Sequence, residues 1–206
     1  MKFDNAFPLR PNFNNAMTDT SLKPECVLRA GFVGHRPGKL IASRASVRET
    51  ITGVLNDLDE LGRLFADDRK SMLYASGGLK KRLTTGLAPG ADRDAAGAGL
   101  DLGWALQAVL PRDEQAFIAE QAPSAGSLPQ DSAARLRELS SRARTLTLTL
   151  SGDGPWHTAH ELAARVVVEQ SDVLLAVWDG ASAAGLGGTA HVVRMALQSG
   201  VGVIWI

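Results

Sequence analysis

The chain lacks two features that restrict where a protein works. It has a single cysteine, Cys26, in 206 residues, which excludes an internal disulfide framework and fits the reducing cytoplasm. It also lacks a long apolar run, because residues 1–21 are polar, unlike a signal peptide, and the longest apolar stretches have the length of strands. We therefore expect a cytoplasmic protein with no membrane segment in this chain.

An excess of charge of either sign is also missing. The 22 lysines and arginines balance 22 aspartates and glutamates. A domain that binds duplex nucleic acid usually carries a basic excess to meet the phosphates, so we expect no duplex partner. A nucleotide-sized ligand needs only a few donors, which a neutral domain can supply. The length and the 45% hydrophobic fraction are sufficient for one large domain with a core.

The apolar pattern divides the chain into a tail and a body. Residues 1–24 have no sustained period and are expected to form an N-terminal tail, and residues 25–206 form one domain. The predicted strands are 26–33, 82–85, 104–110, 144–150, 172–178 and 201–206. The predicted helices are 46–65, 91–102, 114–121, 133–143, 158–170 and 189–197. This alternation predicts an α/β, Rossmann-like fold with a mainly parallel sheet flanked by helices.

Three local expectations accompany this pattern. Ser46 has the residue type and position of a cap for the first helix. The alternation of threonine and leucine in 144–150 predicts a strand with one buried face. The sequence stops inside an apolar run, so we expect it to be part of a longer protein.

In such folds the ligand lies outside the carboxyl ends of the strands, and glycines cluster there in this sequence. The first cluster follows the first strand. Gly34 allows a tight turn and close backbone approach, His35 can donate to a phosphate or a ribose hydroxyl, and Arg36 offers a planar donor fork. The alternative is an ordinary turn with an arginine on the surface.

The second cluster, in residues 84–94, opens a helix. Backbone amides at a helix start attract anions. Asp92 at that start either caps the amides or binds a ribose hydroxyl. The candidate ligand-binding residues of this loop are Gly86, Leu87, Ala88, Gly90, Ala91, Asp92 and Arg93.

The third cluster follows the apolar strand 172–178 and includes Gly185 and Leu186. Consecutive glycines before a helix form a backbone nest that suits phosphate, and Thr189 can donate its hydroxyl or cap the helix. No lysine follows the glycines, so this is not a P-loop. The candidate residues are Trp178, Asp179, Gly180, Gly187, Gly188 and Thr189.

Together, the three loops resemble the SLOG superfamily, a Rossmann-like group of nucleotide-ligand binders. Its relatives include the Lonely-guy enzymes, DNA-processing recombination proteins and the sensor region of melastatin-type channels. The resemblance covers residues 26–206 and is closest to a bacterial branch found in defence systems. Its motifs occur here in order, as Gly34-His35-Arg36, residues 86–92, Trp178-Asp179-Gly180 and Gly187-Gly188-Thr189.

One departure changes what the resemblance implies. Lonely-guy enzymes carry a catalytic glutamate three residues after the threonine, where this chain has Val192. The resemblance therefore implies a sensor without catalytic residues or a cofactor. Its ligand would be a nucleotide-derived second messenger, namely a cyclic or linear ADP-ribose derivative or a cyclic oligonucleotide. Binding would control a fused or associated effector in antiviral defence, and we expect a homo-oligomer.

Two other functions stay open. A nucleotide or nucleoside-phosphate hydrolase would need an acid, for which Asp92, Asp94 or Asp179 are the candidates. Single-stranded DNA binding would need a basic groove, which the neutral charge disfavours. A metal site is not predicted, because His157 and His160 lack further ligands beyond nearby Glu161.

Overall fold

The computed structural model describes residues 23–39, 43–69, 73–75, 77–121, 132–148, 156–182 and 187–206. The predicted tail up to residue 22, the loop 123–129, and Gly185 and Leu186 lie outside these ranges. The strands are β1 Val27–Gly34, β2 Lys80–Thr85, β3 Ala105–Leu110, β4 Arg144–Thr147, β5 Val173–Val177 and β6 Gly202–Trp205. The helices are α1 Arg44–Arg69, α2 Ala91–Asp101, α3 Glu114–Glu120, α4 Ala133–Arg142, α5 Trp156–Glu169 and α6 Thr189–Gln198.

The described strands form one sheet in the order β4-β3-β2-β1-β5-β6, and every pairing is parallel. β1 is central: Phe32 pairs with Thr85 of β2 on one side and with Leu175 of β5 on the other. The chain therefore moves outward from β1 to β4 and then returns to place β5 on the opposite side of β1. This confirms the predicted α/β, Rossmann-like fold with a parallel sheet.

Helices cover both faces of the sheet, which explains the apolar strands. On one face Ile51 and Leu55 of α1 pack against Phe32, and α4 extends this layer over β3. On the other face Val167 of α5 and Met195 of α6 belong to a second cluster. The sheet is thus buried in its centre.

Two local predictions are wrong. α1 begins at Arg44, and its first turn is held by the Ser43 hydroxyl, which accepts from the Ser46 amide at 3.2 Å, so Ser46 is not the cap. β4 covers only 144–147 of the predicted 144–150 and has no buried face, because it lies at the edge of the sheet and all four of its residues are exposed. Leu148 after it packs partly on the core, and residues 149 and 150 lie outside the described ranges. The other predicted elements are present with shifted ends. Among the described helices, none combines the length and apolarity needed to cross a membrane.

Candidate functional site

The order of strands reverses between β1 and β5, which is where ligands bind in open α/β sheets. Gly34 at the end of β1 pairs with Val177 at the end of β5. The His35 amide continues this pairing by donating to the Val177 carbonyl at 3.1 Å. The first and third predicted loops therefore start side by side at the carboxyl edge.

His35 joins these loops to the start of α6. Its Nε2 lies 2.9 Å from Asp179 Oδ1 and 3.1 Å from the Asp179 amide nitrogen. Its Nδ1 lies 3.4 Å from Thr189 Oγ1. One nitrogen cannot donate to the carboxylate and accept from the amide together, and the shorter contact to the carboxylate is the better hydrogen bond. In that tautomer Nδ1 accepts from the Thr189 hydroxyl.

Asp179 is held in its ionised form by this arrangement. The hydrogen bond from His35 and then that from the Ala181 amide lower the pKa of its carboxyl below the usual value. The Ala181 amide donates to Oδ1 at 2.9 Å, which closes a tight turn with Gly180 at a φ of 77°. The third loop thus presents a fixed acceptor beside His35.

Asp92 fastens the second loop to the first. Its Oδ1 accepts from the Gly34 amide at 2.9 Å, and its Oδ2 accepts from the Ala88 amide at 3.3 Å. Asp92 is only 5% exposed, and burial raises the pKa of its carboxyl to about 6, since the hydrogen bonds offset desolvation only in part. Asp92 therefore holds the loop after β1 and the loop after β2 together through their backbone amides.

Gly90 brings the second loop against His35. It has a φ of 100°, and a Cβ there would stand 2.6 Å from the His35 carbonyl oxygen. The Ala91 amide donates to the same oxygen at 3.3 Å. Only glycine fits this approach, so the start of α2 is fixed to the end of β1.

The other predicted residues of the second loop divide into two groups. Leu87 and Ala91 are fully buried, and Arg93 is buried and donates to the carbonyls of Leu87 at 3.0 Å and Ser132 at 3.1 Å. Their side chains fill the interior and leave only backbone for a ligand. Gly86 and Ala88, together with Asp92, line a pocket described below.

The start of α6 differs from that of α2. Gly188 is its N-cap with a φ of −77°, and no side-chain cap is seen there among the residues that the structure describes. Gly187 has a φ of 77° and packs closely on α5, where an added Cβ would lie 3.1 Å from His160 Cβ. Amides at such a start attract anions. Arg36, the remaining predicted residue, is exposed beyond the end of β1.

A pocket lies beside this helix start. It encloses about 450 Å³ of space, its open mouth included. Its walls come from the sheet, from the loops after β2 and β3, and from the four helices α2, α3, α5 and α6. They include Val109, Phe117, His160, Ala164, Val167 and Val192.

The sequence interpretation missed the helical wall of this pocket. Phe117 and His160 come from α3 and α5, and their ring centroids lie 6.1 Å apart. His160 was considered only as a metal ligand, whereas its Nε2 lies 3.2 Å from Glu120 Oε1. A glycine-rich loop can be recognised in a sequence, whereas apolar residues that line a pocket on a helix have the same sequence pattern as residues of the hydrophobic core. Within the described ranges no three side chains are placed together to hold a metal ion.

Comparison with known proteins shows which solved structures have a similar fold. No protein-family model and no curated protein matches the chain. DNA processing protein A (DprA) from Streptococcus pneumoniae is similar over 91% of this chain and 51% of its own, with 19% identity and a TM-score of 0.51. A structural-genomics target, TM1055, matches over 85% of this chain and 72% of its own, with 14% identity and a TM-score of 0.43.

The chain spans about half the length of DprA. At this identity the likeness shows a shared fold. That fold agrees with the Rossmann-like α/β fold that the SLOG resemblance implied.

Proposed function

We propose that the chain is a sensor that binds a nucleotide-derived ligand at the edge between β1 and β5, without consuming it. One observation carries the proposal. His35 connects the loop after β1, the loop after β5 and the start of α6, and a largely apolar pocket lies beside them.

The polar groups match the parts of a nucleotide. The amides at the start of α6 suit a phosphate. Exposed Arg36 adds a charged fork near the same edge. Ionised Asp179 suits a neighbouring ribose, because a carboxylate accepts hydrogen bonds from hydroxyl groups. A phosphate and a sugar thus find complementary groups within one site.

The pocket wall supports binding over hydrolysis. Val192, which stands where the SLOG resemblance places the Lonely-guy glutamate, is 2% exposed and lines the pocket. Valine can neither accept nor donate a proton, so general acid–base catalysis has no group at this position. We extend the proposal to a second messenger, a cyclic or linear ADP-ribose derivative or a cyclic oligonucleotide, that changes the assembly of the chain and controls an attached effector in antiviral defence.

The first test is thermal unfolding of the chain with ADP-ribose, its cyclic isomers, cyclic di- and trinucleotides, AMP and a single-stranded oligodeoxynucleotide. A ligand at a hundred times its dissociation constant adds about 2.7 kcal/mol of stability. Mass spectrometry then asks whether the stabilising ligand is intact, and size-exclusion chromatography whether the assembly changes. An intact ligand supports the sensor. A consumed ligand supports the hydrolase, and stabilisation by the oligodeoxynucleotide alone supports DNA binding.

The second test replaces Gly188 with aspartate. The φ of −77° accommodates any residue, and aspartate is a favoured N-cap, so Gly188→Asp should keep or raise the melting temperature. It places a negative charge where the phosphate would bind, and we expect at least a tenfold loss of affinity for the stabilising nucleotide. Gly53→Asp is the control, because a Cβ at Gly53 meets nothing within 4 Å. Equal affinity in both variants would refute the start of α6 as the phosphate site.

A further inference from the structure

We infer that the N-terminal segment 1–22 docks through its phenylalanines on an apolar surface between α1 and the amino end of β6. This surface, the apolar corner, consists of residues of α1 and β6, namely Leu61, Leu64, Phe65, Gly202 and Ile204. It lies at the amino edge of the sheet, whereas the proposed ligand site lies at the carboxyl edge. The inference therefore stands apart from the proposed function.

The C-terminal half of α1 exposes large apolar side chains. Leu61 and Leu64 are each 63% exposed, and Phe65 is 56% exposed. Leu64 and Phe65 follow Leu61 by three and four residues, so the three side chains are neighbours on the helix surface. Leu58, one turn earlier, is partly buried against the core. The apolar stripe of α1 thus continues past the core, and such exposed apolar patches mark interaction surfaces.

The stripe lies on the side of α1 that faces β5. Asp59 marks the other side, because its Oδ2 lies 2.7 Å from the Nζ of Lys81 on β2. At about 100° per residue, Leu61 and Phe65 lie about 200° and 240° further around the helix. They are therefore directed away from β2, and the strand on that side of β1 is β5.

Among the described helices, none other than α1 borders this part of the sheet. α2 lies over β2, because a Cβ at Gly99 would stand 2.8 Å from the Leu83 side chain. α3 and α4 pack with β3 in a separate cluster, and α5 and α6 belong to the cluster on the other face. The amino halves of β5 and β6 therefore have no described helix over them on the α1 face.

β6 presents an apolar and open surface there. Ile204 pairs with Leu175 of β5, and paired residues of neighbouring strands share a face. Leu175 belongs to the core cluster of α1, so Ile204 points to the α1 face, where it is only partly buried. A Cβ at Gly202 would meet nothing within 4 Å. The stripe on α1 and these positions on β6 together form the apolar corner.

The N-terminal segment joins the body next to this corner. The Ala75 amide donates to the Pro24 carbonyl at 2.9 Å, which fixes the chain just before β1. A Cβ at Gly62 would lie 3.1 Å from the Leu28 side chain of β1, so the start of β1 lies against the turn of α1 that carries Leu61. Residues 1–22 therefore leave the body beside the exposed stripe.

The segment is long enough to cover the corner. Phe13 precedes Pro24 by 11 residues, which reach up to about 36 Å when extended. The C-terminal half of α1, residues 58–69, is only about 18 Å long. Every position of the apolar corner is thus within the reach of Phe13, and Phe3 and Phe7 reach further.

The composition of the segment suits this contact. Three of the six phenylalanines of the chain, Phe3, Phe7 and Phe13, lie in it. Segments that join no core are usually poor in aromatic residues, and phenylalanine rings bury large apolar areas. A tethered segment is also present at a high effective concentration. This favours the chain's own segment over a second copy of the chain as the occupant of the corner.

The test is photo-cross-linking of the full chain with p-benzoylphenylalanine in place of Phe7. Isotope-labelled and unlabelled chains are mixed in equal amounts and irradiated, and the cross-linked peptides are identified by mass spectrometry. We expect cross-links to residues 61–65 and 202–204 that join peptides of the same isotope form. Cross-links between labelled and unlabelled peptides would place the segment on a second copy and overturn the inference. Cross-links to other surfaces, or none, would overturn it too.

A matched pair of variants checks the contact. Leu61→Glu should lower the cross-link yield severalfold, because docking would remove water from an unpaired carboxylate. Leu197→Glu is the control, since Leu197 of α6 is 62% exposed and belongs to a helix on the other face. It should leave the yield unchanged. Equal yields from the two variants would contradict the inference, and if Leu61→Glu does not fold, the cross-links of the chain without it decide.

Discussion

The helices of this protein start in two ways. α3 and α4 are capped by side chains: Asp113 accepts from the Ala116 amide at 2.9 Å, and Ser132 accepts from the Arg135 amide at 3.2 Å. α2 and α6 start at Gly90 and Gly188 without a side-chain cap. A side-chain cap contributes about 1 kcal/mol, so α2 and α6 begin without a stabilising contact that their neighbours have.

Both uncapped starts lie beside His35, but they use their glycines differently. The Ala91 amide of α2 is bound to the His35 carbonyl, and Gly90 has no room for a side chain. At α6 the backbone of Gly188 has an ordinary φ of −77°. Gly90 is therefore required by packing, whereas Gly188 is not required by its own backbone conformation. A glycine that its own backbone conformation does not require is expected where a side chain would block an anion from the helix amides.

The largest expected effect tests the packing half of this comparison. Gly90→Ala places a Cβ 2.6 Å from the His35 carbonyl oxygen, at a φ of 100°. Strain and overpacking together should lower the free energy of unfolding by about 3 kcal/mol. Gly188→Ala should cost less than about 1 kcal/mol. Urea denaturation of both variants measures the two changes in the free energy of unfolding. Similar losses of stability would show that both glycines are required by packing.

Predictions from the sequence were most accurate where a short pattern of residues is typical of a single kind of structure. The apolar run 172–178 predicted a strand, which is present as Val173–Val177, and the glycines marked the loops at the carboxyl edge. It failed where the answer depends on strand order, as for β4, whose exposure follows from its place at the edge. It could not find the contact of His35 with Asp179, which lie 144 residues apart.

The next effect concerns the carboxylate that ties the first two loops together. The folded-state pKa of Asp92 is about 6 and its ordinary value is 3.8, so the folded chain holds this proton more tightly than the unfolded chain does. The stabilisation is complete below the unfolded value and is lost as the pH rises through about 6. From pH 5 to pH 8 the wild type should lose about 1.4 kcal/mol from this group.

Asp92→Asn removes the titration and isolates the effect. Its amide oxygen can still accept from one loop amide, but its NH2 group then faces the other donor. The variant should therefore be less stable than wild type at pH 5, with a gap that narrows by about 1.4 kcal/mol at pH 8. Urea denaturation at the two pH values gives this double difference. A gap that is constant, or that widens with pH, would contradict the raised pKa.

The smallest effect completes the comparison between helix starts. Ser132→Ala removes the hydroxyl that holds the Arg135 amide and should lower the free energy of unfolding by about 1 kcal/mol. Gly188→Ser makes the opposite change at α6, adding a hydroxyl at an N-cap without one, and should raise stability by a few tenths of a kcal/mol. The serine would then compete with the ligand for the amides at the start of α6, so phosphate affinity should fall as stability rises. If Gly188→Ser destabilises the fold, the amides are already satisfied within the protein, and the contrast between the two kinds of helix start is structural and has no link to a ligand.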